Sequence, residues 1–297
     1  MFMKRNLKLF SLLFLIILVI ILKVGKTSKD FSVMNAEKKY NTHTDLNNTT
    51  DNLPAENTIT ADNEAKEIPV LMYHHLLKSS DIKQKNDAIV SVEEFEEQMK
   101  LLHDNNYKTV SLKELQLFLK GDLRLPKKSV VITFDDGYLS NYTYAYPILK
   151  KYGFKAAVFV ITSRIEKESH KFTPDKLQYL SMEDIESSKD VITYGGHTNN
   201  LHDVVNGKTL LIRSSADVAE KDLKTCKDIL NTDYFAYPYG QYTEETINIL
   251  NKLGYTMAFT TQQGDVKKGD NPYTLKRYFV GPDTTIERFK TIINFKK

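Results

Sequence analysis

Tryptophan is absent from this 297-residue chain, and cysteine occurs once, at Cys226. One cysteine excludes a disulfide within the chain, and no local histidine marks it as a reactive thiol. It shares a helical pattern with Leu223 and Leu230, which reads as a small core residue. Without tryptophan, any aromatic binding surface has to be built from tyrosine and phenylalanine. Charge of one sign is scarce too. The formal net charge is +3 and the lysines are spread along the chain, so nothing argues for nucleic acid as a partner. No internal repeat is evident. The hydrophobic content of 41% is ample for a buried core.

One long uncharged apolar run is present, from Leu9 to Leu22, preceded by Lys4, Arg5 and Lys8 and closed by Lys23. A positive flank followed by an apolar stretch directs the following chain across a membrane. The run is short beside the roughly 20 residues of a spanning helix, although flanking lysines can snorkel. No small-x-small cleavage site follows closely, which favours an uncleaved anchor over a cleaved signal peptide across residues 1–25. From residue 26 to residue 66 Asn, Thr, Asp, Glu and Lys dominate and no apolar face forms, as expected of a disordered linker. The body, residues 67–297, is then expected to work outside the cytoplasm.

In that body short apolar runs alternate with amphipathic segments. Strands are predicted at 69–73, 108–110, 129–134, 156–161, 191–194, 234–237, 257–261 and 277–280. Between them, Ser91 with Glu94 and Ser111 with Glu114 read as capping boxes that open helices, and Thr243 opens another that Gly254 closes. Such alternation predicts an α/β fold with a parallel sheet, either an open wound sheet or a barrel, and a single barrel-like domain suits the length.

The strongest chemical signal is Val130 to Tyr138, a buried-strand pattern that ends in Asp135-Asp136-Gly137. In parallel α/β folds the strands' C-terminal ends form the functional rim. Adjacent aspartates at a strand end point different ways, so one can hold a metal while the other takes a proton. Asp-Asp-Gly alone reads more readily as an ordinary turn. The strand at 191–194 runs into Gly195-Gly196-His197-Thr198-Asn199-Asn200-Leu201-His202, where the paired glycines are expected to allow a close backbone turn. Histidines five apart do not share a helical face, but on a loop they can converge. One aspartate and two histidines make a three-ligand set with positions left open for water and substrate. Taken alone, such a pair on a loop is more often solvated. Two further strands end in Tyr73-His74-His75 and in Tyr237-Pro238-Tyr239-Gly240; of the adjacent histidines only one can face a site.

Together, TFDDG, HTNNLH, AYPYG and MYHHL resemble the polysaccharide deacetylase (NodB-homology) family, carbohydrate esterase family 4, across residues 68–295. Having the Tyr-His motif first is similar to the circularly permuted branch, which includes poly-N-acetylglucosamine deacetylases. The resemblance implies a distorted (β/α) barrel of the NodB-homology type. It also implies a divalent metal, Zn²⁺ by preference, held by Asp136, His197 and His202. Asp135 would be the general base, His74 the general acid, and the Tyr239 N–H an oxyanion donor. The histidine spacing of five matches the poly-N-acetylglucosamine branch rather than the commoner four. Gly196 stands where serine is frequent, and the motif around Pro238 lacks the arginine that often orients the catalytic aspartate; Arg277 is the candidate substitute.

The expected activity is hydrolysis of N-acetyl groups from N-acetylglucosamine units of a surface polysaccharide, with the membrane as the only other partner and no obligate protein partner. Peptidoglycan is the rival substrate. A non-catalytic carbohydrate-binding protein on the same fold is the rival class, but it would have lost base, ligands or acid, and all are present. A different barrel metallohydrolase would need further ligands, such as a His-x-His strand.

Overall fold

The predicted apolar runs send alternate side chains into two different cores. In the computed structural model, which describes residues 59–295, eight strands form one sheet. They are β1 (Val70–Tyr73), β2 (Lys108–Thr109), β3 (Ser129–Phe134), β4 (Ala156–Val160), β5 (Ile192–Gly196), β6 (Tyr234–Ala236), β7 (Met257–Phe259) and β8 (Tyr278–Phe279). The order is β7-β6-β5-β4-β3-β1-β8, with β2 beside the first half of β3, and every pairing is parallel. All eight predicted strands are present, with ends shifted by a residue or two. Parallel pairing puts every C-terminal end on one rim.

Between the strands lie α1 (Val92–Asp104), α2 (Leu112–Lys120), α3 (Tyr146–Lys151), α4 (Met182–Ser187), α5 (Leu210–Arg213), α6 (Ala216–Leu230), α7 (Glu244–Lys252) and, last, α8 (Ile286–Ile292). The predicted capping boxes at Ser91 and Ser111 both form, and Gly254 takes a left-handed φ of 77° just past α7. On β3, Val130, Ile132 and Phe134 join Phe95, Met99 and Leu102 of α1 in one core. Val131 faces the other way, into a second core with Phe159 of β4, Phe259 of β7 and Leu115 and Phe118 of α2.

That second core lies inside a curl. In a flat sheet the four strand spacings from β3 to β7 would separate their ends by about 19 Å. Yet the single guanidinium of Arg277 bonds both Asp135, after β3, and the carbonyl of Thr260, after β7. The two edges are joined by a parallel bridge between Phe259 and Leu275, not by a full ladder. The result is a curled parallel half-barrel, in line with the distorted barrel expected.

The sequence placed residues 59–66 in the linker, and the structure packs them on the body. Ala65 is buried and its N–H donates to the Leu125 carbonyl, while Glu64 pairs with Arg124 and Lys268. Polar composition misled here because the segment is held by backbone bonds and ion pairs rather than by an apolar face. Among the described residues no helix is long and apolar enough to cross a membrane. The hydrophobic segment expected over 1–25 and the rest of the linker, 26–58, lie outside the described residues.

Candidate active site

Asp135 continues the inward alternation of Val131 and Thr133, so its carboxylate enters the curl. There Arg277, fully buried, donates Nη1–H to Oδ1 and Nη2–H to Oδ2, both at 2.7 Å. Its remaining donors reach Thr133 Oγ1 at 3.2 Å and the Thr260 carbonyl at 3.0 Å, and its guanidinium carbon lies 5.6 Å and 5.9 Å from the ring centres of Phe159 and Phe259. Burial alone would raise the Asp135 pKa, but the charge of Arg277 above all holds it below the ordinary carboxylate value. The pairing expected of Arg277 is therefore the geometry observed.

Asp136 departs from the alternation. Its φ is +73°, in the left-handed region that non-glycine residues rarely enter, and Gly137 follows at +76°. This double left-handed turn swings the second carboxylate away from the first and onto the rim. It meets both histidines there: Asp136 Oδ1 lies 3.2 Å from His202 Nε2 and 3.6 Å from His197 Nε2. All three side chains are buried, and one donor atom from each lies within 4.8 Å of the other two.

The histidines converge because of the loop between them. His197 follows β5 directly, and its Nδ1 lies 2.7 Å from the Ala236 carbonyl. A carbonyl only accepts, so Nδ1 carries the proton and the neutral ring presents a bare Nε2 lone pair. Burial holds the His197 pKa down to about 4, which keeps the ring neutral. Two electron-rich atoms, this Nε2 and Asp136 Oδ1, thus face one another in a buried site. A cation between them resolves that conflict, and a borderline-soft divalent ion suits two imidazoles and a carboxylate. The donor set fits the expected metal.

The paired glycines before His197 do not make the turn expected of them; both are strand residues. A Cβ on Gly195 would sit 2.5 Å from the Phe159 ring, and one on Gly196 would sit 2.8 Å from Cys226 Sγ. They permit close packing instead. Cys226 is buried as expected, its thiol pKa pushed up to about 12 by burial.

His74 and His75 separate as adjacent strand-end residues should. His75 turns into packing, with Nδ1 2.8 Å from Ser140 Oγ and its ring against Tyr138; burial lowers its pKa to about 4. His74 remains half-buried, edge-on to Phe279, and its charge is among those lowering the pKa of both Asp135 and Asp136. It thus lies within electrostatic reach of both carboxylates, whereas the charge felt by His75 is that of Asp136. Tyr239 has a left-handed φ of 53° in a single 3-10 turn after β6, and its exposed ring lies 5.1 Å from that of His202. The six residues predicted for the site and Arg277 thus gather at one place.

Two neighbours were not anticipated. Tyr138 fills the space between His75 and Tyr179, stacked on the latter at 5.3 Å. Asp222 of α6 accepts the backbone N–H of Asn199 and Asn200. The second had a sequence signal, an acidic residue inside the apolar stripe of Ala219, Leu223, Cys226 and Leu230.

A sequence model of the polysaccharide deacetylase family matches residues 122–258, from before β3 to within β7. YxkH of Bacillus subtilis, assigned by name to the polysaccharide deacetylases, is 36% identical over 230 residues, 77% of each chain. The Staphylococcus aureus poly-β-1,6-N-acetyl-D-glucosamine N-deacetylase is 29% identical over 232 residues, 72% of this chain and 78% of its own. Among solved structures, the Streptococcus pyogenes deacetylase PplD, in complex with acetate, superposes with a TM-score of 0.67 at 30% identity. That match covers 76% of this chain and 98% of PplD.

Proposed function

The chain belongs to the polysaccharide deacetylase family and is an N-deacetylase, and from that premise we propose that it is metal-dependent and acts on N-acetylglucosamine units of a surface poly-N-acetylglucosamine. The observation that carries the metal dependence is the bare Nε2 of His197 facing Asp136 Oδ1 at 3.6 Å, with His202 completing the set. The substrate rests on the relative in Staphylococcus aureus that is named for this polymer. The N-terminal hydrophobic segment supports a site of action outside the cytoplasm.

Hydrolysis adds water to the acetamide carbonyl carbon and breaks the C–N bond, releasing acetate and leaving an amine. Asp136, His197 and His202 would hold a divalent ion, Zn²⁺ by its taste for imidazole and carboxylate, whose Lewis acidity polarises the carbonyl and acidifies water. Asp135, held by both oxygens on Arg277, takes the proton of the attacking water. The Tyr239 N–H, turned by its left-handed backbone, donates to the oxygen on which negative charge develops. His74 gives a proton to the departing nitrogen so that it leaves as an amine.

The test is acetate release by the full chain from partially acetylated poly-β-1,6-glucosamine and from purified peptidoglycan, each with and without chelator. Chelator-sensitive release from the first and little from the second is expected. Release from peptidoglycan alone overturns the substrate, and release indifferent to chelator overturns the metal dependence.

A further inference from the structure

His197 and His202 lie five positions apart, a spacing that shares no helical face. The loop must do so itself. Thr198 takes a left-handed φ of 72°. From one side the turn after β4 grips the loop: Thr162 N–H donates to the Thr198 carbonyl at 3.1 Å and Ser163 N–H to the Asn199 carbonyl at 3.0 Å. Further along, Leu211 N–H donates to the Leu201 carbonyl and Leu210 N–H to the Asp203 carbonyl. These bonds satisfy four of the loop's carbonyls. Its N–H groups at Asn199 and Asn200 find one acceptor, the carboxylate of Asp222, at 2.8 Å to Oδ1 and 2.7 Å to Oδ2.

Asp222 is an odd choice for stability alone. It is 8% exposed, in the middle of α6, on the stripe that buries Ala219, Leu223 and Cys226. No cation pairs with it among the described residues, so burying its charge is costly and is offset only by the two N–H donors. One turn on, Cys226 presses on Gly196, the last residue of β5. The same helical face thus fixes the chain just before His197 and again two and three residues after it.

We propose that Asp222 is a positioning residue that sets the separation of His197 and His202, and through it the affinity and geometry of the bound divalent ion. The proposal rests on the metal reading given above. A carboxylate is required rather than an amide because both of its oxygens accept; asparagine would turn an NH₂ toward one of the two N–H groups. Outer groups that orient ligands typically change metal affinity by about 10–100-fold when altered.

The test uses the full chain, stripped of metal and titrated with Co²⁺, whose visible absorption reports coordination geometry, together with amide exchange at Asn199 and Asn200. Asp222→Asn is expected to weaken Co²⁺ binding at least about tenfold and to alter the absorption band. It should also speed exchange at those two amides, while Asp222→Glu, which keeps the charge and both acceptors, recovers part of the affinity. Asp222→Asn with faster exchange but Co²⁺ affinity and spectrum within twofold of the unaltered chain overturns the proposal and leaves the metal reading standing. An unaltered chain that binds no Co²⁺ or Zn²⁺ overturns the metal reading and this proposal together. Should Asp222→Asn fail to fold, Asp222→Glu is read against Asp222→Ser by the same criteria.

Discussion

Replacing Arg277 with methionine isolates what the buried ion pair contributes. The substitution keeps most of the side-chain volume and removes the charge and two 2.7 Å bonds from Asp135, a carboxylate that is 2% exposed. Removing one partner of a buried pair strands the other, at a cost of about 3–5 kcal/mol, a large share of the 5–15 kcal/mol that holds a typical domain. The sign with pH follows from Asp135. In the wild type its pKa is depressed, so its contribution is full above the unfolded value of about 4 and is lost only as pH falls below that. Without Arg277, burial is opposed by less and the folded pKa rises, so stability is lost as pH climbs from 4 instead. Arg277→Met should therefore be destabilised by about 3–5 kcal/mol at pH 7 and by clearly less at pH 4.5. Arg277→Lys, a point charge that cannot reach both oxygens, should fall between. Adding Asp135→Asn to Arg277→Met should restore about 2 kcal/mol or more, because the stranded charge is gone. Denaturant unfolding at the two pH values measures all four. A deficit below about 1 kcal/mol at pH 7, or one equal at both pH values, refutes the reasoning.

Asp135→Asn should abolish acetate release with metal content near wild type, whereas His202→Ala should lose bound metal; elemental analysis beside the activity assay separates the two, and full metal in His202→Ala removes it from the ligand set. Gly196→Ala puts a Cβ 2.8 Å from Cys226 Sγ and should cost about 1–3 kcal/mol, of which Cys226→Ala recovers a part; strictly additive effects in the double variant would show that the contact is not responsible. His75, held down to about 4 by burial, binds fewer protons folded than unfolded, so stability rises with pH between about 4 and 6.5 and falls on acidification. His75→Gln should flatten that slope by up to about 3 kcal/mol, checked by melting curves across the window, and an unchanged slope counts against a buried neutral ring.

The strands were readable because each is a short apolar run buried on both faces, and the helices because their caps are local: Ser91 and Glu94 need only one another. The site residues were readable because parallel strands deliver whatever follows them to one rim. What the sequence hid was direction. Nothing local says that Asp136 turns left-handed while Asp135 continues inward, since that depends on Asp136 being held among His197 and His202. The glycine pair looked like a turn because composition cannot tell a flexible glycine from one that makes room for Phe159. Arg277 lies 142 residues from Asp135, and their meeting requires the curl that joins β8 to β7. The packed segment before residue 67 was missed for the related reason that its partners, Arg124, Leu125 and Lys268, are distant in sequence.

The depressed pKa of Asp135 also ties the two halves of the site together. A base held on a permanent guanidinium is well oriented but weak. Taking a proton from bulk water, whose pKa is about 15.7, onto a carboxylate held below its ordinary range is steeply uphill. A divalent cation held by Asp136, His197 and His202 would acidify water to about 7 and remove more than half of that gap. Arg277 therefore trades basicity for orientation, a loss that the proposed cation beside Asp135 would offset. The neighbouring aspartate, turned out by its left-handed backbone toward two histidines, is where such a cation would bind. The proposed roles of Asp135 as base and Asp136 as ligand thus stand or fall together, and chelation is expected to silence the enzyme at every pH at which it folds.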